Sequence, residues 1–158
     1  MFRVRDSSTR IIQFDGALLA SSSSRENRSQ RWIEFNLYKT IGGSYVIARE
    51  GVSKIYHGHG CDVITRNSLV DAPRSSLASD MVPCRLCRPD LSNMPMIYPE
   101  RSRYWAQVCD SPRSVVESLY RRDETGAHYL TIVAEELLAA AARVDTGIAD
   151  AFLVETID

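Results

Sequence analysis

The sequence predicts an α+β chain, and three observations carry that expectation. Apolar residues alternate through the first third, Cys and His residues stand at metal-ligand spacing in the middle, and a 3.6-residue apolar period appears near the end. The expected order is an antiparallel β meander over 1–56, a Cys3His zinc knuckle over 57–90, a linker with a short helix over 91–110, and a helical C-terminal segment over 111–158. These are expected to pack as one compact unit, since 158 residues with a 44% apolar composition suit a single core.

The meander begins with RIIQF and ALLASS, which flank Asp15-Gly16; an Asp-Gly pair between apolar runs predicts a hairpin turn. SSSRENRSQR follows as a polar loop. In WIEFNLYK, Ile33, Phe35 and Leu37 alternate with Glu34, Asn36 and Tyr38, the period of a half-buried strand. Gly42-Gly43 makes the next turn, and SYVIARE and SKIYH continue the meander, so His57 is expected at the end of a strand.

From Ser102 onward the expected period is helical. SRYWAQV reads as a short amphipathic helix leading to Cys109. Ser111 and Pro112 supply an N-cap and a first-turn proline, after which Val115, Val116, Leu119 and Tyr120 form one face. Arg121 and Arg122 then close this helix against its dipole. Leu130, Val133, Ala134, Leu137, Leu138 and Ala141 predict a packed helix from about His128 to Arg143, burying Leu130, Val133 and Leu137 against the metal-bearing body. The end of the chain fits either a short helix through Ile148 and Phe152 or an edge strand over 152–157.

Cytosolic thiols stay reduced, so the four cysteines are not read as disulfides. Three of them form a pattern with a histidine: His57-x3-Cys61, then 22 residues, then Cys84-x2-Cys87. A Cys-x2-Cys knuckle converges two thiolates on one ion at ~2.3 Å, and the second pair closes a tetrahedron. The expected ligands are His57, Cys61, Cys84 and Cys87, and the expected cofactor is zinc. His59 is a rival, but His57 directly follows Tyr56 at the strand end and gives the cleaner turn. Cys109 reads as a buried, inert thiol, and His128 as a solvated residue at a helix start.

YHGHGC followed by VPCRLCRPD resembles the Ada-like metal-binding module, in which Y-H-x3-C or C-x3-C precedes P-C-x2-C-x-P. The resemblance covers roughly residues 44–90 and rests on His57, Cys61, Pro83, Cys84, Cys87 and Pro89. In Ada repair proteins the first cysteine of the pattern is a zinc-bound thiolate that accepts a methyl group from a DNA phosphotriester. His57 stands at that position here. The resemblance therefore implies a zinc scaffold without the family's nucleophile, and an accessory role in nucleic-acid biology.

Charge is uneven: residues 1–123 hold 18 basic against 13 acidic side chains, and residues 124–158 hold 1 against 7. Arg25, Arg28 and Arg31 with Trp32 beside them are the candidate contacts to DNA or RNA, through phosphate pairing and base stacking. Arg85 and Arg88 either pair with phosphate or neutralise the thiolates of the knuckle. The alternative partner is a larger protein, docked through Glu135, Ala139 and Ala142 on the outer face of the acidic helix. No catalytic residues are assigned, because nucleophile-elbow, P-loop and dinucleotide patterns are missing. No apolar run approaches the ~18 residues of a membrane span and MFRVRDSSTR has no apolar stretch behind it, so the expected location is the cytoplasm, with no membrane partner.

Overall fold

A computed structural model describes residues 1–7, 9–62 and 64–154. Along the chain run β1 (Phe2–Arg5), β2 (Ile11–Phe14), β3 (Gly16–Ser23), β4 (Arg31–Thr40), β5 (Tyr45–Ser53) and β6 (Ile55–His57). They are followed by β7 (Ala72–Pro73), β8 (Val82–Pro83), β9 (Met96–Pro99), β10 (Arg103–Cys109), α1 (Pro112–Leu119), β11 (Arg121–Arg122), β12 (His128–Tyr129), α2 (Ile132–Ala142) and α3 (Thr146–Leu153). Two units result: Met1–Ser24, Ile33–Glu50 and Arg103–Asp158 form the first, and Arg25–Trp32 with Gly51–Ser102 form the second. The α+β class is as the sequence predicts.

The first unit is built on a sheet of order β10-β5-β4-β3. Alternation along β4 and β5 sends Phe35, Leu37, Tyr45 and Ile47 into a core shared with the helices, while Tyr38 and Val46 meet Val4 and Ala106 on the opposite face. That opposite face is covered by the β1–β2 hairpin, whose Phe2 and Phe14 pack their rings against Tyr38. Both faces of the sheet are therefore closed, and β4 is buried more evenly than a half-exposed strand.

Asp15-Gly16 is not the turn of a hairpin. β2 pairs with β1 and β3 pairs with β4, so the dipeptide carries the chain from one layer to the next. Gly16 is needed for a different reason: a Cβ there would lie 2.1 Å from the Lys39 carbonyl oxygen. Gly43 makes the expected β4–β5 turn at φ +90°, closed by the Thr40 N–H donating to Ser44 O at 2.8 Å.

The segment expected as a short helix is strand β10. Its aromatic pair alternates, Trp105 and Cys109 packing on the helical side and Ala106 on the hairpin side, and a place beside β5 outweighs the local helical spacing. Ser111 caps α1 as expected, its Oγ accepting from Ser114 N at 3.1 Å. Val115, Val116 and Leu119 are buried, but Tyr120 is the exposed C-cap. Arg121 and Arg122 do not close that helix; they form β11, paired with β12 around a turn at Gly126 (φ +84°). The Asp123 carboxylate holds this turn by accepting from Thr125 N and Ala127 N, which is why the polar DETG stretch makes a hairpin.

Helix α2 starts later than expected, at the Thr131 cap, and His128 lies exposed in β12. Val133 and Leu137 are buried and Leu130 is half-buried, but they pack inside the first unit, where α2 lies on β3 and α3. The helix is part of that unit's core. Asp145 caps α3 through Ile148 N at 2.9 Å, so Ile148 and Phe152 belong to a helix, while 155–157 lie outside the described residues.

In the second unit the sheet order is β7-β9-β6-β8. His57 ends β6 as predicted, although β6 belongs to this sheet and not to the β3–β5 meander. β8 runs parallel to β6, with Tyr56 opposite Pro83. That register positions the site.

Candidate metal centre

The parallel pairing of β6 and β8 places residue 84 beside residue 57, and the Cys84 N–H donates to Tyr56 O at 2.9 Å. Cys61 returns to the same point through a turn in which Gly60 takes φ +75°. Cys84 and Cys87 are joined by a tight knuckle: Arg88 N donates to Cys84 O at 3.0 Å, and Arg88 itself takes φ +45°, a left-handed conformation unusual outside glycine. The donor atoms of His57, Cys61, Cys84 and Cys87 all lie within 4.8 Å of one another. These are the four residues the spacing singled out, and the group can hold a metal ion.

The two nitrogens of His57 have different partners. Nδ1 lies 3.3 Å from Cys61 Sγ, inside the group, and Nε2 lies 2.7 Å from Glu100 Oε2, outside it. A histidine whose second nitrogen is anchored on a carboxylate is the arrangement that fixes tautomer and ring orientation at a metal. Glu100 is anchored in turn, accepting from Arg31 Nε at 2.8 Å, Arg31 Nη2 at 2.6 Å and Ser53 Oγ at 2.7 Å. Burial pushes the Glu100 carboxyl up, but the hydrogen bonds from Arg31, His57 and Ser53 outweigh it and hold the group at about 2. It is thus ionised whenever the protein is folded near neutrality.

Thiol electrostatics follow the knuckle. Burial raises Cys84, yet the backbone N–H groups of Cys87 and Leu86 donate to its sulfur and bring it down to about 7. Cys87 is pushed up to about 11, by burial first and then by its thiol neighbours Cys61 and Cys84, against the N–H of Gly58, which reaches Cys87 Sγ at 3.4 Å. Crowded sulfurs cannot all ionise without a cation, and a divalent ion at their centre removes that obstacle.

Of the other candidates, His59 is exposed with its ring 6.0 Å from that of Tyr98, and Cys109 is a buried core residue of the first unit; neither joins the group. Arg31 and Trp32 have partners of their own. Arg31 is committed to Glu100, and Trp32 is only 8% exposed, with the Arg25 guanidinium 4.4 Å and the Lys54 ammonium 5.6 Å from its ring centre. Arg25, Arg28, Arg85 and Arg88 are exposed, as are Glu135 and Ala139 on α2, while Ala142 is half-buried.

Glu100 is the residue of the candidate site that sequence reasoning missed. The need for it was readable, since a metal-bound histidine wants an acceptor for its second N–H. Five acidic residues between 51 and 100 compete for that role, and only the β6–β9 pairing, with His57 opposite Tyr98, selects Glu100. No protein-family model, curated protein or solved structure matches the chain.

Proposed function

We propose that the chain is a zinc-stabilised binding module whose Cys3His centre is structural. The observation that carries this reading is the closed donor set: three sulfurs and one imidazole nitrogen within 4.8 Å. A tetrahedron of ~2.3 Å zinc–sulfur bonds has edges of ~3.8 Å, so a small contraction around the ion completes the site, and mixed sulfur and nitrogen donors suit zinc. The Ada-like resemblance supports the same scaffold, and His57 at the acceptor position argues against alkyl transfer.

Nucleic acid is the favoured partner, with the protein as an accessory factor. Exposed Arg28, Arg85 and Arg88 lie in the unit that carries the site, and the resemblance points the same way. Two measurements test the reading. Metal analysis of protein purified without added zinc should find one zinc per chain, lost in Cys84→Ser; absence of the metal defeats the scaffold. Duplex DNA binding should weaken with salt, and replacing Arg28, Arg85 and Arg88 with Ala should reduce the log–log slope by ~0.9 per lost contact. No binding at low salt transfers the partner role to a protein, for which exposed Glu135 and Ala139 are the surface to mutate in a pull-down.

A further inference from the structure

The first unit holds an arginine where its fold calls for an apolar residue. Alternation along β5 sends Tyr45 and Ile47 into the helical core, and the next position in that row is Arg49. An inward charge can protect a sheet edge, but β5 lies between β10 and β4 and is no edge. Arg49 is half-buried, and among the described residues no carboxylate pairs with it. Burial first, then the like charges of Arg121 and Arg103, hold its guanidinium below the usual arginine range. Arg49 also borders a second cleft, on the hairpin side, which Glu34 and Glu50 share with Arg3 and Arg5, and neither acid forms an ion pair with it.

Beside Arg49 the helical face opens into a cleft of about 170 Å3. Phe35 and Trp105 form aromatic walls, Arg121 stands with Arg49, and Ser118 and Thr131 supply hydroxyls. Thr131 is also the cap of α2, so the positive end of that helix borders the same space. A half-buried guanidinium beside the like charge of Arg121 gains from a counter-ion, and arginine both pairs with an oxyanion in bidentate fashion and stacks on flat rings.

We propose that this cleft is a binding site for a small organic anion, a single flat ring bearing a carboxylate or phosphate, held by Arg49 and Arg121 with the ring between Phe35 and Trp105. The volume admits one substituted ring and excludes a dinucleotide or a lipid chain. The site lies wholly within the first unit and is independent of the zinc reading.

The test uses the full zinc-loaded chain with four probes: phenyl phosphate, benzoate, benzyl alcohol and inorganic phosphate. Calorimetry gives affinity, and the indole resonance of Trp105 reports occupancy. Phenyl phosphate or benzoate should bind at least about ten-fold tighter than benzyl alcohol and than inorganic phosphate. Arg49→Gln should lose about ten-fold or more while remaining folded, because it relieves repulsion; should it fail to fold, exposed Arg121→Gln carries the same expectation. Equal binding of the neutral alcohol, equal binding of bare phosphate, no ring-bearing anion bound, or full affinity in the folded variant each overturns the proposal.

Discussion

Replacing Glu100 with glutamine removes one negative charge, keeps the side-chain shape, and so separates electrostatics from packing. The carboxylate accepts from His57, twice from Arg31, and from Ser53. A glutamine has one accepting oxygen and an NH2 group, so at least one of these donors must face another donor. Charge-assisted bonds are roughly twice as strong as neutral ones, and the loss of an outer partner of a metal-bound histidine lowers metal affinity by ~10–100-fold. At 1.4 kcal/mol per decade that is ~1.4–2.8 kcal/mol. The Arg31 side chain is 59% exposed and can turn to water, so its surface ion pair contributes ~1 kcal/mol or less on its own. Zinc affinity should therefore fall while the thermal midpoint at saturating zinc moves little. Competition against a chromophoric chelator of known zinc affinity measures the first quantity and a melting curve the second. Zinc affinity unchanged within about two-fold would refute the role assigned to Glu100.

Four further outcomes are expected. In Asp145, burial raises the carboxyl, but the Ile148 N–H, Lys39 and Tyr45 outweigh it and hold it below its usual value. Its stabilisation is present above the unfolded value of ~3.9 and disappears as pH falls through the lower folded value. Asp145→Asn should thus lose ~1–3 kcal/mol at neutral pH, and the gap should close only as pH falls below about 4 and through the lower folded value; parallel acid-unfolding profiles would contradict this. Leu137→Ala, at a fully buried position of α2, should cost ~2–5 kcal/mol in urea denaturation, and a loss under ~1 kcal/mol would mean the helix is not core. Gly16→Ala forces a Cβ against the Lys39 carbonyl and should cost ~1–3 kcal/mol, with an unchanged midpoint counting against that close approach. Intact mass after incubation with methyl-phosphotriester DNA should show no adduct; a stoichiometric methyl group would make the centre reactive.

The candidate metal site was more legible than the fold around it, for a physical reason. Ligand spacing is set by short-range geometry, so His57-x3-Cys61 and Cys84-x2-Cys87 announce themselves in one dimension. Helix α2 was legible likewise, because burial along it follows one period, whereas β4 was legible as a strand but not in its burial, which involves both faces. β10 was misread because its spacing is compatible with a helix, and what decides is the open flank of β5 more than fifty residues earlier in the chain. Arg121 and Arg122 were misread by the same logic, since a two-residue strand exists only through the turn chemistry of Asp123 and Gly126. Arg31 looked like a free cation because its partner, Glu100, is 69 positions away.

The neighbour relation of β5 and β10 bears on how fast the protein folds. These strands pair side by side, yet residues 54–102 lie between them. Bringing such distant segments together costs about 3.5 kcal/mol of chain entropy beyond a constant, and non-local pairings of this kind slow folding. A metal ion that ties His57 to Cys87 takes the intervening residues out of the loop and leaves about twenty, which lowers that entropy by ~0.8 kcal/mol. If the pairing forms in the rate-limiting step, a metal ion bound early would accelerate closure of the first unit's sheet roughly four-fold, so that an ion held in one unit would set the tempo of the other.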